Sequence, residues 1–190
     1  VLGARPLVFM LCSFLGQACT CRGEDASPPK VVKRKAKPVK PKTVPLAEKQ
    51  AWLPVDAPVD PLAPHRPTEV DCPRGGWRVE RQGFEINTMA CNYAMFSQPT
   101  LTPIEPGDRV FAVLYHFDLM AKDPATAHVA LLLGDRMLWE QKIEIPGKAN
   151  VYNIEWTADF AAPAGTPVFF HLHNHGQNTW TLASVEITRD

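Results

Sequence analysis

The chain has 190 residues, 45% of them hydrophobic, so it has room for one ordinary domain with appendages and enough apolar side chains for a core. The formal net charge is +0, but residues 22–70 carry ten Lys/Arg against six Asp/Glu, whereas residues 71–190 carry nine against fourteen. A basic segment ahead of an acidic domain argues against nucleic-acid binding by the domain itself.

Residues 1–21 resemble a bacterial export signal. Arg5 supplies a short charged start, and residues 7–15 form an apolar run that is too short to span a bilayer. Residues 1–18 are therefore expected to be a signal peptide that is cleaved before Cys19. Two interpretations of that cut stay open. Ordinary cleavage predicts a secreted protein, whereas the sequence LGQAC resembles a lipobox and predicts a lipoprotein of the cell envelope, acylated at Cys19 and anchored to the membrane.

Residues 19–70 are predicted to be a disordered tether rich in proline and lysine. Ten of the 19 prolines fall within residues 22–70, and residues 30–42 hold seven basic residues and no acidic one. Such a segment buries too little apolar surface to offset the entropy lost on ordering. The basic run is expected either to lie on an anionic lipid or polymer surface or to act as a self-repelling spacer.

The pattern changes at residue 71, where short runs rich in β-branched and aromatic residues alternate with turn signals. No window shows a convincing helical period, so residues 71–190 are predicted to form an all-β, antiparallel sandwich of eight or nine strands. The predicted strands include residues 77–82, 84–88, 91–96, 109–119, 127–133 and 136–145, one around Tyr152 to Trp156, and two within residues 167–187.

The last two predicted strands, within residues 167–187, read as a β-hairpin around an Asn/Gly turn region. Because side chains alternate across a strand, Val168, Phe170 and Leu172 share one face of the first strand. The opposite face carries Phe169, His171, His173 and His175. The apolar face is predicted to join the core, and the histidine face, with Trp180, is the candidate working surface.

The order of these segments resembles the jelly-roll modules of the carbohydrate-binding and galactose-binding-like class. The resemblance covers about residues 75–188 and rests on PIEPGDRVFAVLYHFDL, HVALLLGDRMLWEQKIEIPG, VYNIEWTADFAAPAGTPVFFHLHNHG and NTWTLASVEI. It implies a jelly-roll sandwich that binds without catalysis, with carbohydrate as the ligand of many such modules and protein or lipid as the ligand of others. None of the calcium-site motifs of that class matches this sequence.

Two of the five cysteines lie inside the predicted domain. Since an exported domain meets an oxidising environment, Cys72 and Cys91 are expected to form a disulfide. A closed loop of this length would contribute about 3 kcal/mol in the chain-entropy model.

The histidine face also permits a metal site. Residues two apart on a strand lie about 6.6–7 Å from each other, so two of His171, His173 and His175 could share an ion with a ligand from a neighbouring strand. His116 and His128 are candidates for that third position. Neutral imidazole suits zinc or copper, so one of these is the expected cofactor if any is present.

Sugar binding requires an exposed aromatic plane with planar polar side chains beside it. The candidate ligand-binding residues share these properties or lie on the neighbouring strands: Trp180, Asn178, His171, His173 and His116, with Tyr93, Tyr115 and Trp139 as lesser candidates. The alternative is that Trp180 belongs to the core.

No hydrolase, nucleotide-binding or metalloprotease motif occurs in the sequence, so a non-catalytic protein is expected. Asp118 is the one acidic residue within an apolar run and would be the candidate catalytic group of a glycan-active enzyme. Three hypotheses follow: an exported module that binds carbohydrate or another envelope component, an exported zinc- or copper-binding protein, and a structural or protein-interaction domain of the envelope.

Overall fold

The structure is a computed structural model, and it describes residues 41–189. Three short 3-10 turns, Ala57–Val59, Ala63–His65 and Arg74–Gly76, interrupt an otherwise all-β chain. The strands are β1 (Lys42–Pro45), β2 (Leu53–Pro54), β3 (Trp77–Val79), β4 (Phe84–Asn87), β5 (Tyr93–Pro99), β6 (Arg109–His116), β7 (Ala125–Leu133), β8 (Arg136–Ile145), β9 (Asn150–Thr157), β10 (Pro167–Asn174) and β11 (Thr179–Arg189). Among residues 41–189 no helix is long and apolar enough to cross a membrane.

The strands form two antiparallel sheets. One runs β3-β4-β11-β6-β9, with β1 paired to β11 as its sixth strand, and the other runs β2-β5-β10-β7-β8. Nine of the eleven strands follow residue 71, so the predicted jelly-roll sandwich of eight or nine strands is confirmed. The predicted terminal hairpin is wrong, because β10 pairs with β5 and β7 whereas β11 pairs with β4, β6 and β1. The turn between β10 and β11 crosses from one sheet to the other.

The core lies between the sheets and follows the alternation of each strand. Val168, Phe170 and Leu172 of β10 are buried in it, as predicted. Aromatic rings fill its centre: Phe84 of the six-stranded sheet lies 4.9 Å, centroid to centroid, from Phe96 of the five-stranded sheet. The inner positions of each sheet are apolar and the outer ones are mixed. Each sheet therefore contributes one face to the core, and its other face points away from the core.

The prediction of a disordered tether over residues 19–70 is wrong for residues 41–70. β1 pairs with β11, β2 pairs with β5, and Leu46 and Trp52 are 0% and 3% exposed in the core. The segment escaped detection because its strands are short, lie at sheet edges and contain proline, so it has no apolar period. Residues 1–40, with the predicted signal peptide, Cys19 and nearly all of the basic run, lie outside the described residues.

Residues 55–66, here called the strap, pass over the outer face of the five-stranded sheet. Val55 donates its backbone N–H to Met95 O over 2.9 Å and packs in a second apolar cluster with Tyr93 and Phe169. Asp60 anchors the strap: its Oδ2 accepts hydrogen bonds from Tyr93 Oη at 2.7 Å and Arg66 Nη1 at 2.8 Å. The strap therefore covers part of the face that carries the histidines.

The predicted disulfide is confirmed. Cys72 and Cys91 are bonded, with a sequence separation of 19 residues. The bond ties the segment that enters β3 to the turn before β5, and so links the two sheets near one end of the sandwich.

Candidate functional site

Trp180 is not an exposed platform for stacking. Its side chain is 0% exposed on the inner face of the six-stranded sheet, where its ring centroid lies 4.3 Å from that of His116. His116 is also buried, with Nδ1–H donated to Phe117 O over 2.7 Å. Asn178 is 5% exposed, and its Oδ1 accepts the backbone N–H of Met120 over 2.6 Å. These three candidates therefore support the fold at one end of the sandwich.

The predicted grouping of Trp180 with His171 and His173 fails for a topological reason. Both histidines point outward from the five-stranded sheet, whereas Trp180 points inward from the other sheet. Adjacent strands of a hairpin would have placed them on one surface, but the crossover between sheets separates them. The predicted sugar site around Trp180 requires the hairpin, so it is lost with it.

Three imidazoles instead converge on the outer face of the five-stranded sheet: those of His65, His128 and His171. One ring nitrogen from each lies within 4.8 Å of the others. β7 and β10, which are neighbours in the sheet, hold His128 and His171. His65 comes from the strap and is exposed, whereas His128 is 8% and His171 0% exposed. The cluster thus has a buried floor and an accessible rim.

The hydrogen bonds around the two buried rings determine which nitrogens carry lone pairs. Nδ1 of His171 lies 3.1 Å from Ala94 O, and because a carbonyl only accepts, this nitrogen carries the hydrogen. Nε2 of His128 donates in the same way to the Glu140 carboxylate over 2.6 Å. In the neutral rings the lone pairs are therefore on His171 Nε2 and His128 Nδ1, which face each other at 3.2 Å. Two facing acceptors need a proton or another cation between them.

Burial disfavours the charged form of His171 and of His65. It lowers the pKa of His171 well below 6.5, with the neighbouring His128 as the next cause. Burial also lowers the pKa of His65, and it lowers that of His173 to about 4. A neutral imidazole has a lone pair to offer, so the cluster is equipped to bind a cation.

His173 and His175 lie beside this cluster. His173 Nδ1 is 3.0 Å from Nε2 of His65, and the ring of the exposed His175 is 4.5 Å, centroid to centroid, from that of His173. The structure therefore groups His171 with His128, one of the predicted candidates for a third ligand, and with His65, whereas His173 and His175 lie outside this group. His65 was missed because it belongs to the segment predicted to be a tether, and nothing in its local sequence marks it.

The outward face of the six-stranded sheet is a second candidate surface, here called the open face. Its side chains form rows across the strands, and one row runs through Arg78, Glu85, Thr181, Tyr115 and Val151. Further rows add a mixed set of aromatic, aliphatic and polar groups: Phe111, Glu155, Glu186, Val113, Asn153 and Ser184. Those on β6 are half-buried and those on β9 are exposed. The open face thus combines rings with hydrogen-bonding groups.

A groove of about 400 Å³ lies at the end of the open face. Phe117 stands beside it with 69% of its surface exposed, and its ring lies edge-on to Tyr115 at 6.2 Å between centroids. The groove is lined by Tyr115, Phe117, Ala149, Asn150, Val151 and the buried His116. An exposed ring beside amide and hydroxyl groups is the arrangement that was predicted at Trp180 for sugar binding.

Asp118 has a structural role next to this groove. Its carboxylate accepts the backbone N–H of Ala149 over 2.8 Å and pairs with Lys148 at 3.2 Å. The Ala149 N–H is the main cause that lowers the pKa of Asp118, and Lys148 adds to it. A general acid needs a raised pKa, so Asp118 holds the loop at residues 147–150 beside Phe117 and does not fit that role.

Comparison with known proteins finds similar solved structures but no family. No protein-family model and no curated protein matches it. A solved xylan-binding module, CBM15, shares 13% identity with a TM-score of 0.45, covering 78% of this chain and 97% of that one. A CBM4 structure shares 7% identity with a TM-score of 0.35, and the match covers 60% of this chain and 84% of that one. The structure of PfGH50B shares 10% identity with a TM-score of 0.35, and the match covers 65% of this chain and 23% of that one. At these identities and TM-scores the likeness assigns neither a family nor a function to this chain.

Proposed function

We propose that this chain is a non-catalytic module that binds polysaccharide on its open face, with Phe117 and Tyr115 as the stacking residues. The exposed Phe117–Tyr115 pair at the mouth of the groove is the observation that carries the proposal. Aromatic faces pack against the C–H groups of a sugar ring, and nearby polar side chains bind its hydroxyls.

The shape of the open face favours a chain ligand. With strands about 4.8 Å apart, the five strands β3-β4-β11-β6-β9 present a platform about 19 Å wide, which exceeds the size of one small molecule. Asn153, Ser184 and Glu186 offer hydrogen-bond partners along it. A polysaccharide would contact several of these groups in sequence, so weak individual contacts would add up.

Replacing Phe117 and Tyr115 together with alanine is expected to weaken polysaccharide binding at least tenfold, because both stacking faces are lost. Affinity gel electrophoresis with soluble arabinoxylan, β-glucan and galactan measures the retardation of the folded chain. Leu53→Ala is the matched control, since Leu53 is 64% exposed on the other sheet. Wild-type protein that no polysaccharide retards, or an unchanged double variant, would contradict the proposal.

The proposal includes export. The Cys72–Cys91 disulfide supports it, since such bonds persist in oxidising compartments. An envelope lipoprotein anchored at Cys19 would hold the module at a membrane surface, and secretion without lipid is the alternative. The intact mass of the mature chain purified from its native host tests the anchor, with an acyl mass on Cys19 expected and a free N-terminal cysteine as the contrary result.

A further inference from the structure

We infer that His65, His128 and His171 form a binding site for one divalent transition-metal ion of the zinc or copper class. The site lies on the outer face of the five-stranded sheet, so it is separate from the open face and independent of polysaccharide binding. Three nitrogens from three different chain segments converge there within 4.8 Å. Imidazole nitrogen is a preferred ligand of zinc and copper, whereas calcium and magnesium prefer oxygen.

The distances fit such an ion. Tetrahedral zinc with bonds of about 2.0–2.1 Å holds its ligand nitrogens about 3.3 Å apart. His128 Nδ1 and His171 Nε2 already lie 3.2 Å apart on the rigid sheet, with their lone pairs facing each other. A metal ion beside this pair would replace the repulsion of two acceptors with two bonds. The remaining adjustment falls on His65, which is exposed and lies on a surface turn.

The groups behind the ligands are those that a metal site needs. Ligating histidines commonly donate their other N–H to a carbonyl or carboxylate, which orients the ring and raises its basicity. Ala94 O does this for His171, and Glu140 does it for His128. Nδ1 of His173 lies 3.0 Å from Nε2 of His65. The fourth coordination position would therefore be filled by His173 or by water.

A bound metal would also fix the strap to the five-stranded sheet. His65 is the only one of the three proposed ligands in the strap, and the other two belong to β7 and β10. An ion shared among them would therefore cross-link the strap to the sheet beneath it. Since a ligand that binds only the folded state stabilises it, saturating metal is expected to raise the melting temperature by about 5–10 °C.

The test uses the full chain without an affinity tag, stripped of metal with EDTA and then freed of the chelator. Titration calorimetry with ZnCl₂, and separately with CuCl₂, is expected to give one ion per chain. His65→Ala is expected to lower the affinity at least tenfold without disturbing the fold, because His65 is exposed. Glu140→Ala, which leaves all three ligands in place, is expected to lower it about tenfold through loss of the orienting hydrogen bond.

His175→Ala is the matched control, because this exposed histidine lies beside the cluster but outside the proposed ligand set. Unchanged affinity in this variant, together with the loss in His65→Ala, supports the assignment. The absence of uptake with both metals would overturn it. So would uptake that His175→Ala abolishes and His65→Ala leaves intact, since the ion would then be held by surface histidines alone.

Discussion

Replacing Trp52 with alanine is expected to lower the free energy of unfolding by about 3–5 kcal/mol, the usual cost of truncating a buried tryptophan. Trp52 is 3% exposed, and its ring centroid lies 5.9 Å from that of Phe84 and 6.3 Å from that of Phe170. Those two rings belong to different sheets. The indole therefore fills space between the sheets, and its loss would leave a cavity that neither sheet can close alone.

Urea denaturation followed by circular dichroism measures this effect. Leu53→Ala is a demanding control, because Leu53 is the next residue and is 64% exposed, so its loss should change the unfolding free energy by less than about 0.5 kcal/mol. Equal stability of Trp52→Ala and the wild type would mean that residues 41–70 do not pack on the sandwich and form a tether instead.

Acidification of the metal-free protein from pH 7 to pH 5 is expected to lower its stability. The pKa values of four histidines, His65, His116, His171 and His173, are lowered in the folded chain, chiefly by burial. The unfolded chain, with pKa values near 6.5, therefore binds more protons in this range. The stability that these neutral rings contribute is complete above pH 6.5 and declines as the pH falls through 6 and 5.

His171 makes the largest single contribution to this pH dependence. It is 0% exposed, and His65, His128 and His173 surround it, with no carboxylate of residues 41–189 in direct contact. One extra proton on the unfolded chain corresponds to a slope of about 1.4 kcal/mol per pH unit below pH 6.5. The Glu140 carboxylate bonds to His128 and acts on His65 through its charge, which partly opposes the effect of burial on the pKa of His65.

Urea midpoints at pH 7.5, 6.5 and 5.5, in the presence of EDTA, measure the slope. His171→Gln is expected to reduce it by about one proton, whatever its effect on absolute stability. His175→Ala, at an exposed position, is expected to keep the wild-type slope. A stability that stays constant or rises toward pH 5.5 would contradict the burial of neutral imidazoles.

Strand alternation predicted one of the two candidate surfaces and not the other. Alternation along β10 predicts that His171 and His173 share an outward face, and both lie on the outer side of this strand. Nothing in the sequence predicts that Phe117, the proposed stacking residue, is exposed, although its ring lies near the end of a predicted strand. Exposure of a ring depends on what packs over it, and alternation along one strand carries no information about that.

The sequence alone determined the local features of this protein. Alternating side chains determined the strands after residue 71 and the buried face of β10, because the period of a strand is set by its own backbone. Only two cysteines lie in the sandwich, so their pairing followed from the count. Tertiary structure alone decided that β10 and β11 join different sheets, that Trp180 is buried and that His65 meets His128 and His171. Each of these depends on pairing between segments far apart in the chain, which is chosen by the packing of the whole core.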